Sequence, residues 1–199
     1  MDFHDVVRRR RMVRNFDDRP VPADVLERVL VNATHAPSAG FAQGWAFVVL
    51  EGREQTEGFW RLTTDDAWRA RTTRQGLFDA PVIVLPLAHK QAYLERYAEA
   101  DKAGSGMDAE AGWPMPYWYV DVAFASMLML LTAVDAGLGA LFFGIFRGKD
   151  RLLEALGVPE GYEPIGAIAL GWPAPLDHRS PSLTRGRRPV QEVVHRGRW

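Results

Sequence analysis

An α+β layered domain is the fold class this sequence predicts, and three observations predict it. Four short apolar runs bounded by turn residues, Trp45 to Leu50, Pro81 to Ala88, Ala140 to Ile145 and Ile165 to Gly171, read as central strands. Segments with apolar residues at helical spacing lie between and around them. The composition is that of an ordinary globular chain, with 47% hydrophobic and 25% charged residues in 199. A single domain of this size buries roughly 70% of its unfolded surface, so one domain over 1–199 is expected, with 173–199 as an extended C-terminal arm.

Taken in order, Asp2 to Arg9 reads as a short helix. Ala23 to His35 reads as a longer one, because Val25, Leu26, Val29, Leu30 and Ala33 share a face and Pro22 suits a helix start. Trp45 to Leu50 is the first strand. Gln55 to Gln75 is charged, with Phe59, Trp60, Leu62 and Trp68 interspersed, and predicts a helical pair on the surface. The continuous apolar run Pro81 to Ala88 suits a buried strand. His89 to Ala100 reads as helix, and Asp101 to Pro116 as a loop marked by Gly and Pro. Tyr117 to Asp135 is a long buried helix with Gly137 placed for a left-handed cap. The strand Ala140 to Ile145 follows, then a helix from Lys149 to Leu156 stopped by Gly157, and the strand Ile165 to Gly171. After Trp172 the chain has four Pro and little periodicity, so it should run as an arm.

Several function classes are excluded or unsupported. Lys plus Arg (24) nearly cancels Asp plus Glu (25), a net charge of −1, so bulk charge does not indicate nucleic acid. Absence of Cys excludes disulfides, thiolate metal sites and a Cys nucleophile, and fits the cytoplasm. The N-terminus has charges before any apolar run and no secretory cleavage site. The longest apolar stretch, Val120 to Ala133, is shorter than the ~20 residues of a membrane span. His4, His35, His89, His178 and His195 are scattered without metal-ligand spacing, so no metal is expected. Ser38 lies in no GxSxG setting, and the GLG at Gly137 to Gly139 follows a helix and precedes a strand, the reverse of a dinucleotide fingerprint.

Two features point to chemistry. "APSAGFAQGWAFVVL" places Pro37, Ser38, Ala39 and Gly40 between a helix and a strand, either as a tight turn or as a platform where backbone comes close to a cofactor. Arginines cluster at both ends: Arg8, Arg9, Arg10, Arg11 and Arg14, and Arg185, Arg187 and Arg188. Guanidinium forks match phosphate geometry, so the clusters form a phosphate pocket if the fold joins them and are solvated charge runs if it does not. Trp113, Tyr117, Trp118 and Tyr119 form an aromatic stretch that reads equally as core or dimer contact and as a lid.

The ordered set "RRRRMVRNFDDRPVP", "APSAGFAQGWAFVVL", "DAGLGALFFGIF", "GYEPIGAIALGWP" and "RGRRPVQEVVH" resembles the flavin-dependent nitroreductase family over nearly the whole chain. The resemblance implies a sandwich with a central mixed, mainly antiparallel sheet flanked by helices. It also implies an intertwined homodimer with two FMN molecules at the subunit interface and a terminal arm that wraps the partner. By position it implies that Arg10, Arg11, Met12 and Arg14 form the first FMN segment, the early arginine at the phosphate and the later one near the pyrimidine edge. Arg185 and Arg187 would complete the phosphate site. Pro37, Ser38, Ala39 and Phe41 would be the turn laid against the ring by the partner subunit, and Phe143, Gly144 and Ile145 the loop whose backbone amide faces flavin N5.

Three positions depart from the family's usual residues: Met12 stands for a hydroxyl residue, Phe41 for Asn and Gly44 for Pro. Met12 cannot donate to phosphate, and Phe41 cannot hydrogen-bond a flavin. The implied activity is ping-pong transfer of hydride from NAD(P)H through flavin to a nitroaromatic, quinone or similar acceptor, with no side chain acting as acid or base and hence no catalytic residue named. Phe41 also motivates an alternative, a flavin-binding or sequestering protein of the same fold whose ring face is blocked. A dehalogenating or flavin-fragmenting relative would need substrate-gripping residues that the sequence does not show.

Overall fold

The structure is a computed structural model that describes residues 1–177 and 180–199; His178 lies outside the described residues. In chain order the elements are α1 (Phe3–Arg9), β1 (Phe16–Asp17), α2 (Ala23–Thr34), β2 (Trp45–Glu51), α3 (Gly52–Thr63), α4 (Asp66–Arg71), β3 (Val82–His89), α5 (Lys90–Ala98), α6 (Tyr117–Asp135), β4 (Gly139–Phe143), α7 (Lys149–Ala155), β5 (Tyr162–Pro164) and β6 (Ala167–Pro173).

The apolar run of β3 is continuous because both faces of the sheet are covered. Val82 and Val84 face the layer of α2 and α6, where Leu26, Val29, Ala33, Ala125 and Met129 are buried. Ile83, Leu85 and Leu87 face the opposite layer of α3 and α7, with Phe59, Trp60 and Leu152. The period of two along a strand sorts these residues, and the result is a helix–sheet–helix sandwich. β3 pairs with β2 along its length, and on its other side with β6 at Val82 to Val84 and with β5 at Leu87 to His89. β4 and β1 pair with β6. Every ladder is antiparallel, and the isolated bridge Met12 to Ala140 adds a parallel contact.

Pro86 sits inside β3, where proline normally breaks a ladder. Its carbonyl accepts from the Ile165 amide at 3.1 Å, on the side where β6 has ended and β5 has not begun. In an extended residue N and C=O point the same way, so the missing donor faces that seam and costs no ladder bond.

The α6 stop is a Schellman motif: Gly137 (φ 78°) donates to the Val134 carbonyl at 3.0 Å and Leu138 to that of Ala133 at 2.8 Å. Gly157 (φ 63°) ends α7 the same way through Glu154 and Leu153. The residues of α6 that carry the fold are Val122, Ala125, Met129, Leu130 and Ala133, all buried. At 19 residues α6 reaches the length and apolar character of a membrane span, but half of it is buried within the fold.

Three expectations need correction. Among the described residues the sheet has six strands, not four; β1 and β5 are two and three residues long, too short to leave a periodic signal. The expected helical pair over Gln55 to Gln75 is present as α3 and α4, but it does not merely lie on the surface, since Phe59 and Trp60 of α3 are each 1% exposed. β4 ends at Phe143, leaving Gly144 and Ile145 in irregular backbone. Among the described residues beyond Pro173 there is no strand or α-helix, only 3-10 turns at Pro181–Arg185 and Val190–Glu192.

Candidate functional site

The arginine segment is placed by both of its neighbours. α1 ends with Arg8 and Arg9 in its last turn, where positive charge complements the helix dipole, and Arg10 caps it by donating to the Val6 carbonyl at 3.0 Å. The chain then runs beside β4: Met12 bridges Ala140, and the Val13 amide donates to the Ala140 carbonyl at 3.0 Å. Gly139 permits this approach, since a Cβ there would lie 2.8 Å from Val13 Cγ2.

Asp177 joins this segment to the beginning of the arm. Its carboxylate is 1% exposed, pairs with the Arg11 guanidinium, and accepts the backbone amides of Arg14 (2.8 Å) and Asn15 (3.0 Å). The two ends of the chain therefore meet. Arg8, Arg9, Arg10, Arg11, Arg14 and Arg187 line one cleft of about 1120 Å³, with Asp5 the acidic residue of that lining.

Arg14 is shared with a second cavity of about 490 Å³, lined also by Arg71, Thr72, Arg74, Phe142 and Phe143. Burial, and next the positive charge of Arg74, hold the Arg14 guanidinium below its usual pKa, with Asp177 opposing. Two arginines and two phenylalanines lining one cavity suit an anionic or carbonyl-bearing planar ligand. Phe143, Leu141, Leu77 and Trp68 are shared in turn with a third cavity of about 420 Å³ that reaches Gly144, Ile145 and Phe146. Phe143 is fixed there by stacking on Trp60 (centroids 5.4 Å apart) and by an edge contact with Phe59 (6.0 Å).

Thus Arg10, Arg11, Met12, Arg14, Arg187, Phe143, Gly144 and Ile145 line a trough of three neighbouring cavities that meet at shared residues, Arg14 between the first two and Phe143 between the second and third. Arg185 ends the 3-10 turn beside it without lining the cleft. Pro37, Ser38, Ala39 and Phe41 line none of these three cavities within the chain.

Their turn is nonetheless a built feature. Gly40, Phe41 and Gln43 have φ of 60°, 57° and 50°, strained for the last two, and Phe41 is 73% exposed. One face of α5 supports it: Tyr93, Arg96 and Tyr97 stand at i, i+3 and i+4. Arg96 Nε donates to the Gly40 carbonyl at 2.8 Å while its fork grips Asp101, and Tyr97 fills the space a Gly40 side chain would need. Asp121 of α6, 2% exposed, accepts the Ala39 amide at 2.8 Å and the Tyr93 hydroxyl at 2.9 Å through one oxygen. Gly44 has no room for a side chain, as a Cβ would be 2.3 Å from Tyr93 Cε2. Burial, then the Asp121 hydrogen bond, raise the Tyr93 phenol above its ordinary range.

Of the aromatic stretch, Trp118 is buried and Trp113 packs on Tyr93 and Tyr97, so these two are core beneath the turn. Tyr119 is outside, donating to Glu163 at 2.7 Å. Arg74, Asp177, Asp121 and Tyr93 escaped the sequence reading. Each works through tertiary placement and belongs to no local motif.

Residues 7–172 match the model of the nitroreductase family. A protein of Methanothermobacter thermautotrophicus, provisionally named NADH dehydrogenase/NAD(P)H nitroreductase, is 28% identical over 177 residues, covering 87% of this chain and 78% of that one. A crystal structure of a nitroreductase family protein from Clostridium difficile superposes with a TM-score of 0.73 at 22% identity, covering 100% of both chains. An oxidoreductase described as containing FMN gives 0.72 at 22% identity, covering 98% of this chain and 91% of its own.

Proposed function

Since the chain belongs to the nitroreductase family, we propose that it is an FMN-dependent oxidoreductase that carries reducing equivalents from NAD(P)H to a nitroaromatic, quinone or similar electron-poor acceptor. The observation that carries this reading is the trough of neighbouring cavities, with guanidiniums at one end and aromatic residues at the other. Those donors fit FMN: a phosphate needs the cationic cleft, and a planar ring needs the apolar floor and the Arg14–Arg74 edge. FMN when bound supplies two-electron chemistry, accepting a hydride and returning it.

The chain's own residues bind and orient. Arg10 and Arg187 would hold the phosphate, with Arg11 anchored by Asp177. Arg14 and Arg74 would face the polar edge of the ring, and Phe143 to Ile145 would line it, with the Gly144 amide as the donor offered at N5. The turn at Pro37, Ser38, Ala39 and Phe41 lines no part of its own trough, which supports its contribution to a second subunit's site in a homodimer. Exposed Phe3, Val7, Phe124 and Met127 on α1 and α6, and Leu183, Val190 and Val193 on the arm, supply apolar surface for that assembly, with residues 173–199 wrapping the partner. Donor and acceptor then use one site alternately, which is ping-pong kinetics.

Exposed Phe41 favours a second reading, in which its ring covers the flavin and the protein sequesters it. One experiment separates the two. NADH or NADPH should bleach the bound flavin anaerobically, an added quinone should restore the colour, and steady-state double-reciprocal lines should be parallel. A flavin that neither nicotinamide reduces, but that Phe41→Ala renders reducible, would establish sequestration instead.

A further inference from the structure

We infer that Asp121 is a positioning residue for flavin binding: it fixes the Ser38 to Gln43 turn whose exposed face, in the proposed dimer, meets the ring bound by the partner subunit. The inference rests on the flavin reading above and goes beyond it to a residue that lines none of the three cavities.

A carboxylate buried in an apolar helix is costly unless it is fully used. Asp121 stands in α6 among Trp118, Val122 and Ala125, all buried, and one of its oxygens takes both the Ala39 amide and the Tyr93 hydroxyl. Ala39 opens the 3-10 turn that carries the strained backbone of Gly40 and Phe41. Positive φ at a phenylalanine persists only where surrounding structure over-determines it. Three restraints do so here: Asp121 at the Ala39 amide, Arg96 at the Gly40 carbonyl, and Ser38 Oγ accepting the Gln43 amide at 3.0 Å. Of these, Asp121 alone is charged and buried, so its bonds are the least replaceable by water. Tyr93 orients the carboxylate, and Gly44 leaves the Tyr93 ring the space to do so. Without Asp121 the Ala39 amide loses its acceptor, and Phe41 is free to leave the presented position.

This role has a signature that phosphate binding does not. The turn meets the ring, which FMN and riboflavin share, so losing Asp121 must weaken both alike. Full-length wild type, Asp121→Ala, Asp121→Asn and Tyr93→Phe are titrated with FMN and with riboflavin, following flavin fluorescence, and the same substitutions are repeated in a Phe41→Ala background. Asp121→Ala should weaken both flavins by the same factor, about tenfold for a lost charge-assisted bond. Asp121→Asn, which keeps an acceptor oxygen, should recover most of that. In the Phe41→Ala background the Asp121 effect should shrink to about twofold or less, because the two residues act through one turn. If Asp121→Ala does not fold, Tyr93→Phe reads the same comparison with a loss of about threefold. A wild type that binds no flavin overturns the reading on which the inference rests. A wild type that binds, with folded Asp121 variants that match it or lose the same factor with and without Phe41, overturns the inference alone.

Discussion

Arg10→Ala combined with Arg187→Ala should lower FMN affinity by at least about 100-fold while changing riboflavin affinity little. Both side chains line the arginine cleft, one from the end of α1 and one from the arm. A hydrogen bond to a charged group contributes roughly 1.5–3 kcal/mol, so two of them correspond to roughly 10²–10⁴ in Kd. Screening lowers this at these partly open positions, and the loss should therefore be larger in low salt than in high. Arg11 is the wrong choice for this test. Removing it strands the buried Asp177 carboxylate and disturbs the backbone of Arg14 and Asn15 that the same carboxylate holds. Arg185→Ala, outside the lining, should cost less than Arg187→Ala. Equal losses for FMN and riboflavin would show that the cleft does not bind phosphate.

Trp60→Ala should be the most destabilising single change in the layer beneath the trough, by roughly 3–5 kcal/mol. Its side chain is 1% exposed and packs edge-on to Phe59 and Phe78 and face-on to Phe143. For a domain of this length each kcal/mol moves Tm by roughly 2–4 °C, so a fall of roughly 6–20 °C is expected in thermal unfolding. Trp60→Phe should cost far less than its loss of volume suggests. The indole Nε1 is buried with no acceptor among the described residues, and an orphaned donor carries a penalty of roughly 1–3 kcal/mol that phenylalanine removes. Similar Tm values for the Ala and Phe variants would contradict this account.

Trp60 also shows where sequence reasoning stops. Arg53, Glu54, Glu57 and Arg61 surround it in α3, and that charge reads as a surface helix, although Phe59 and Trp60 turn inward and close the core. The long elements were legible because their signals are local: helical spacing in α2, apolar continuity in β3, and glycines at the ends of α6 and α7. β1 and β5 exist only because a neighbouring strand pairs with them. The arginine clusters were legible as residue types, but their meeting depends on Asp177, which no motif marks. Arg74 lies in a plain TTRQG stretch and becomes notable only opposite Arg14. The departures at Phe41 and Gly44 were readable, and packing now accounts for Gly44: Tyr93 occupies the space that a ring at position 44 would take.

The clasp between Asp177 and the Arg14 amide closes a span of 163 residues. Translation at roughly 5–20 residues per second puts roughly 8–33 s between the emergence of its two halves. During that interval the nascent chain exposes its N-terminal arginines without the carboxylate that orders them or the arm that completes their cleft. The cleft is therefore a late feature of folding: its lining cannot assemble until Asp177 and the arm that carries Arg187 have emerged.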